Sequence, residues 1–213
     1  MPTYKLTYFD IRGLGEGARL IFHQAGVQFE DHRVKKEDWP ALKPTTPFGQ
    51  MPLLDVDGDV IAQSAAIYRY LGRQFGLAGK TPMEEAQVDS IYDEWKDFAA
   101  EAKPYFMVYA AFERRIKLSV RHLQAKIEKE VLIPARDKHM PLITKFLEKS
   151  GSNFLVGNSL TWADIVISDQ LLTYQNWVPG FLEPYPLLLK FVENVRSQPN
   201  IKKWMEERPQ SPF

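Results

Sequence analysis

The side chain that is missing narrows the chemistry of this 213-residue chain most: it contains no cysteine. Disulfides, thiolate metal sites and a cysteine nucleophile are excluded. Any thiol chemistry must use a thiol supplied by a ligand. Four histidines, His23, His32, His122 and His139, show no metal-ligand spacing, and no metal is expected. His122 and His139 fall on polar helix faces, the placement of solvated side chains. No Ser-His-Asp set can be assembled from the sequence. Tyr8 stands near the end of a first strand, where α/β folds place groups that meet ligands; a core tyrosine fits the strand evidence as well. Gln63-Ser64 sits at a strand-to-helix junction. The free N–H groups and positive dipole end there would receive a carboxylate, although the simpler reading is that Ser64 only caps its helix.

Two further stretches carry chemical meaning. Gly13-Leu14-Gly15-Glu16-Gly17-Ala18 fits the relaxed dinucleotide fingerprint G-x-G-x-x-A. That reading needs further βα units, and the chain turns to a hairpin and then to helices. The glycines therefore read as positions where helix one approaches the sheet closely. Thr46 to Val56 is a proline-dense loop running into an apolar strand. A cis Met51–Pro52 bond would turn the Met51 N–H and C=O outward, to pair with an extended ligand as an added strand would. An ordinary trans proline is the alternative.

These residues must be held by the elements around them. Leu6 and Tyr8 alternate with Lys5 and Thr7 as a strand. Ala18, Ile21, Phe22 and Ala25 fall at helical spacing, and Gly26 stops that helix. Phe29 to Val34 reads as a second strand, parallel to the first. Leu53–Val56 and Val60–Ala62 flank Asp57-Gly58 as a hairpin. A helix capped by Ser64 follows and ends at Gly76. Beyond a linker at 76–82 the pattern is helical throughout. Met83 to about Phe112 forms one long stretch, and helix continues to Lys149 with bends near Pro134 and Pro141. Thr161-Trp162-Ala163-Asp164 opens another helix with capping-box spacing, Asp standing in the last place. Shorter helices follow at 186–198 and 201–207. The expected fold is a two-domain α+β/α chain: a βαβ-ββα domain over residues 1–78 and an all-helical domain over 82–213.

Basic and acidic side chains balance at 27 each, which argues against bulk nucleic-acid or anionic-membrane binding. No apolar run approaches the roughly 18 residues of a membrane-spanning helix. Met1-Pro2-Thr3-Tyr4-Lys5 is not a signal peptide, so a cytoplasmic protein is expected.

Taken together, six ordered pieces resemble the sigma class of cytosolic glutathione transferases, the class of the glutathione-dependent prostaglandin D synthases. They are Tyr8–Gly13, Glu30–Arg33, Asp38–Pro40, Pro47–Pro52, Gln63-Ser64 and Gly157–Asp164, and the likeness spans essentially the whole chain. It implies a thioredoxin-like first domain, a helical second domain and glutathione as co-substrate. Tyr8 would be the catalytic hydroxyl. Tyr8, Trp39, Lys43, Gly49, Gln50 and Met51 would line the glutathione groove, with Pro52 cis. Gln63 and Ser64 would hold the γ-glutamyl carboxylate, and Asp97 would reach the γ-glutamyl amine across a homodimer interface. Phe9, Leu14, Tyr105, Phe106 and Phe213 are candidates for the electrophile pocket, although core packing would use the same residue types. Leu14 departs from the arginine usual near the thiol, which weakens the case for prostaglandin isomerisation. Lys96 departs from the interfacial acidic cluster that binds a divalent cation in the vertebrate synthases. The alternatives are a carrier of haem or other hydrophobic ligands, a crystallin-like structural relative, and a glutathione-dependent isomerase or peroxidase.

Overall fold

A computed structural model describes residues 2–113 and 119–211. Its first part is a four-stranded mixed sheet ordered β2-β1-β3-β4, built from β1 (Tyr4–Phe9), β2 (Glu30–Val34), β3 (Leu53–Val56) and β4 (Asp59–Ala62). β1 runs parallel to β2 and antiparallel to β3, and β3 turns back on β4 through Asp57-Gly58. The parallel pair follows from the helical crossover α1 (Glu16–Ala25). Gly26 ends that helix in the left-handed region at φ +68° and bonds back to the His23 and Phe22 carbonyls. A short α2 (Trp39–Leu42) precedes the proline-dense loop, and α3 (Ser64–Gln74) closes the unit. The arrangement is thioredoxin-like.

The α3 start corrects one expectation. Gln63, not Ser64, is the residue ahead of the first turn: its carbonyl accepts the Ile67 N–H at 3.0 Å, and Ser64 is already helical. Gln63 takes φ +74°, a region non-glycine residues seldom occupy. It makes the corner between β4 and α3 that a serine cap was expected to make.

From Pro82 the described chain is helical: α4 (Pro82–Glu113), α5 (Ser119–Ile127), α6 (Ile133–Ser150), α7 (Trp162–Trp177), α8 (Pro186–Arg196) and α9 (Pro199–Glu207). Along α4 the buried residues Val88, Ile91, Trp95, Phe98, Ala102 and Tyr105 recur every three or four positions, the stripe of a core-facing helix. The bend expected near Pro134 takes the form of a wide π turn at Glu128–Leu132, just before the proline that has no N–H to donate. α7 is buried along most of its length. The Trp162 ring lies against α3 at Gly72, where a Cβ would stand 2.3 Å from Trp162 Cδ1, so only glycine admits the tryptophan. The Trp162 N–H donates to the Leu77 carbonyl at 2.8 Å. The helices are thus fastened to the sheet unit through α7.

His139 also departs from the expectation. It is not solvated but buried to 3% exposure, with Nδ1 2.6 Å from Glu94 Oε1 and Nε2 3.2 Å from Glu101 Oε1. The second contact is an ion-pair distance without hydrogen-bond alignment. The carboxylates of α4 make a polar slot in an otherwise apolar face, which periodicity reads as solvent. His122 is exposed as expected.

Candidate active site

Tyr8 is the next-to-last residue of β1, and its side chain is 7% exposed. Its hydroxyl oxygen accepts the Leu14 N–H at 3.1 Å. The Leu14 carbonyl accepts from the Tyr68 hydroxyl on α3. The turn after β1 is therefore bonded to the strand on one side and to α3 on the other. Glycine lets it lie on the tyrosine ring: a Cβ on Gly15 would fall 2.5 Å from Tyr8 Cδ1. The glycine-rich motif serves this packing.

Burial raises the Tyr8 hydroxyl above its ordinary pKa, opposed by the Leu14 N–H and by the Arg19 charge, whose guanidinium lies 6.0 Å from the ring centroid. The hydroxyl stays protonated through neutral pH and keeps its hydrogen to donate.

Several of the residues expected to line a glutathione groove lie next to one another. Tyr8, Phe9 and Trp39 form a chain of edge contacts, with centroids 5.7 and 5.6 Å apart. Gly49, at φ +61°, lies beside Lys43, whose Cε would be 3.4 Å from a Cβ there. The Met51–Pro52 bond is cis. Met51 stands two residues before Leu53, which makes the last β1–β3 pair with Thr7. Gln63 Nε2 donates to Gln50 Oε1 at 3.0 Å, next to Ser64 at the α3 start. Asp97 stands exposed on α4.

Two cavities open at Tyr8. One of about 280 Å³ lies between the turn and helices α4 and α7. Leu14 and Phe106 line it, together with Ile11, Ala99, Tyr174 and Trp177 on the apolar side. Arg12, Lys103, Asp169, Gln170 and Thr173 form its polar side. The other, of about 720 Å³, carries Phe9 and Trp39 and shares Tyr8 and Phe106 with the first. Tyr105 lines neither: it is fully buried, with its hydroxyl 3.2 Å from Gln124 Nε2. Phe213 lies outside the described residues. A third cavity of about 600 Å³ lies beyond Arg12 and Arg208, with no part of Tyr8 on its wall.

The polar side was not read from the sequence. Arg12 Nη1 donates to Thr173 Oγ1 at 3.1 Å and stands 3.8 Å from Asp169. Burial raises the Asp169 carboxyl despite the neighbouring Arg208 charge. The available signal was the spacing of Asp169, Thr173 and Trp177 on one face of α7, which stays silent until Arg12 is seen to meet that face.

Profiles of two families match the chain. The one described as Glutathione S-transferase, N-terminal domain covers residues 4–73, and the one described as Glutathione S-transferase, C-terminal domain covers residues 116–208. The curated Glutathione S-transferase 1 of Ascaris suum is 67% identical over 213 residues, all of both chains. The chain belongs to the glutathione S-transferase family. The crystal structure of the glutathione S-transferase from Ascaris lumbricoides is 66% identical and superposes with a TM-score of 0.93 over the whole of both chains. A structure described as a Nu-class enzyme from Haemonchus contortus is 44% identical, with a TM-score of 0.87 over the whole of both chains. The transferase fold, glutathione as the family's co-substrate and the enzyme assignment follow from this membership. No helix among the described residues is long and apolar enough to cross a membrane, and no group of three or more His, Cys, Asp or Glu among them is arranged to hold a metal ion.

Proposed function

We propose that this glutathione S-transferase ionises the thiol of bound glutathione with Tyr8 and conjugates it to hydrophobic electrophiles. The observation that carries the reading is the Tyr8 hydroxyl, kept protonated by burial and opening on an apolar cavity. A free thiol with a pKa near 8.5 is only a few per cent thiolate at pH 7. A hydrogen bond to a charged group contributes about 1.5–3 kcal/mol, which lowers a thiol pKa by roughly one to two units. The thiol proton leaves to water, the sulfur electron pair forms the new S–C bond, and the displaced pair leaves with a halide or settles on the activating group.

Residues 1–78 would bind glutathione. Trp39, Lys43, Gly49 and Gln50 would line its groove, the Met51 backbone would pair with its cysteinyl part, and Gln63 and Ser64 would hold its γ-glutamyl carboxylate at the α3 N-terminus. Residues 82–213 would supply Phe106 to the electrophile wall, and the first domain would add Leu14 and Phe9. Asp97 would act only across a homodimer; one solved neighbour, 43% identical, is described as monomeric, so the oligomeric state is part of the test. The tyrosine reading is of sigma type; one solved neighbour, 44% identical, is described as Nu-class. Leu14 favours conjugation over isomerisation, although a structure titled prostaglandin synthase D, from Nilaparvata lugens, is 33% identical. A cytoplasmic location completes the reading, since a cysteine-free enzyme that borrows its thiol suits a glutathione-rich compartment.

The test is conjugation of an activated aryl halide, followed by absorbance. Tyr8→Phe should lower kcat/KM roughly 10- to 150-fold while glutathione still binds. Unchanged kcat/KM would remove Tyr8 from the chemistry, and no conjugation in the wild type would favour a hydrophobic-ligand carrier.

A further inference from the structure

A set of buried charges joins the last helix to the turn that holds Tyr8, and none of the four residues at its centre lines either cavity at the tyrosine. Glu16 opens α1 at 1% exposure. Its Oε1 accepts the Trp204 indole N–H at 2.8 Å and Arg208 Nη1 at 3.0 Å. Its Oε2 accepts Arg19 Nη1 at 3.2 Å. Arg19, fully buried, donates to the Ile11 carbonyl at 2.8 Å and to the Phe9 carbonyl at 3.3 Å. These are the carbonyls of the chain leaving Tyr8. Asp31 neutralises Arg19 at 3.0 Å. Arg208 also donates to Asp169 at 2.9 Å, beside Arg12. A buried carboxylate that loses one cation is left with charge that the remaining cations alone must compensate. Without Arg208, Glu16 is left to Arg19 among the buried cations, and Asp169 to Arg12.

We propose that the C-terminal helix sets the position of Tyr8 through Glu16 and Arg19, which makes Arg208 and Trp204 positioning residues for thiol ionisation. The inference rests on the reading of Tyr8 given above. Loss of Arg208 or of the Trp204 N–H pulls Arg19 toward Glu16 and away from the Phe9 and Ile11 carbonyls. The turn then loosens at Leu14, whose N–H fixes the Tyr8 hydroxyl, and the hydroxyl no longer meets the sulfur squarely. A network that only fastened α9 would lower stability and leave the chemistry of the folded protein alone.

The experiment is the ultraviolet pH titration of glutathione thiolate bound to the full chain, in wild type, Trp204→Phe, Arg208→Ala and Arg208→Lys. Trp204→Phe removes one donor from Glu16 and keeps the ring that stacks on His23 at 4.0 Å. The bound-thiol pKa should rise by roughly half to one unit in Trp204→Phe and Arg208→Ala, with Arg208→Lys between Arg208→Ala and wild type. A wild-type pKa in folded Trp204→Phe and Arg208→Ala overturns the inference. If Arg208→Ala fails to fold, Trp204→Phe decides alone: a raised pKa supports the proposal and an unmoved one overturns it. A wild type that leaves the thiol at its free pKa overturns the Tyr8 reading itself and this inference with it.

Discussion

Gly15 and Tyr8 are in such close contact that a change at one is read at the other. Gly15→Ala would place a methyl group 2.5 Å from Tyr8 Cδ1, and either the ring or the turn must move. We expect a folded protein with conjugation lowered at least tenfold, since a displacement of about 1 Å can cost two orders of magnitude in rate; circular dichroism with steady-state kinetics checks both parts. The raised Tyr8 pKa gives a second expectation. The hydroxyl remains a donor beyond its ordinary value near 10, so the rise of kcat/KM with pH belongs to the thiol, and tyrosine deprotonation produces no falling limb below about pH 10. A falling limb near pH 8 or 9 would mean that Tyr8 titrates early. Tyr8 was legible as the end of a strand because alternation fixes which face it takes. Arg12 and Arg19 were not. An arginine in a sequence reads as solvent-facing, and its burial depends on carboxylates at Asp31 and Asp169 that only the folded chain brings near.

Among the elements, α7 is the one on which the helical layer is registered. Thr161 Oγ1 accepts the Asp164 N–H at 3.4 Å while Asp164 Oδ2 accepts the Thr161 N–H at 2.7 Å, and Leu155 donates to Oδ1 at 2.8 Å. Thr161→Ala should cost about 1–2 kcal/mol, measured by urea unfolding. Asp164 is fully buried, and desolvation raises its pKa to about 6. The folded value lies above the unfolded one near 3.9, so the folded state binds the proton more readily between the two. The stability contributed by Asp164 protonation is therefore present below about pH 4 and is lost as pH rises through 6. Melting temperature against pH should show a component falling over that window that is absent in Asp164→Asn; identical slopes would refute it. This capping box was readable in full, because both partners lie within four residues. The α3 start was misread by one residue, since Gln63 turns the corner with a positive φ that no side-chain rule anticipates. His139 was misread because Glu94 and Glu101 sit more than thirty residues away on α4.

For the whole molecule, the two outer strand pairs and the helical layer follow from local patterns: the parallel pair from its crossover, the hairpin from Asp57-Gly58, the helices from their apolar stripes; the antiparallel seating of β3 on β1 was not read. What local patterns left hidden is how the two layers meet, at Gly72 with Trp162 and at Glu16 with Arg208. The proposed homodimer belongs to this scale too. We expect a dimer by sedimentation at micromolar concentration and weaker glutathione binding in Asp97→Ala; a monomer with unchanged affinity would remove Asp97 from the site. The central claim is that Tyr8 ionises a thiol the protein does not carry, and the most direct test is the ultraviolet difference absorbance of bound glutathione thiolate against pH in wild type and Tyr8→Phe. We expect a thiol pKa about one to two units below its free value of about 8.5 in wild type and restored toward it in the variant. Glutathione bound without ionisation, or ionised equally in both proteins, would contradict it.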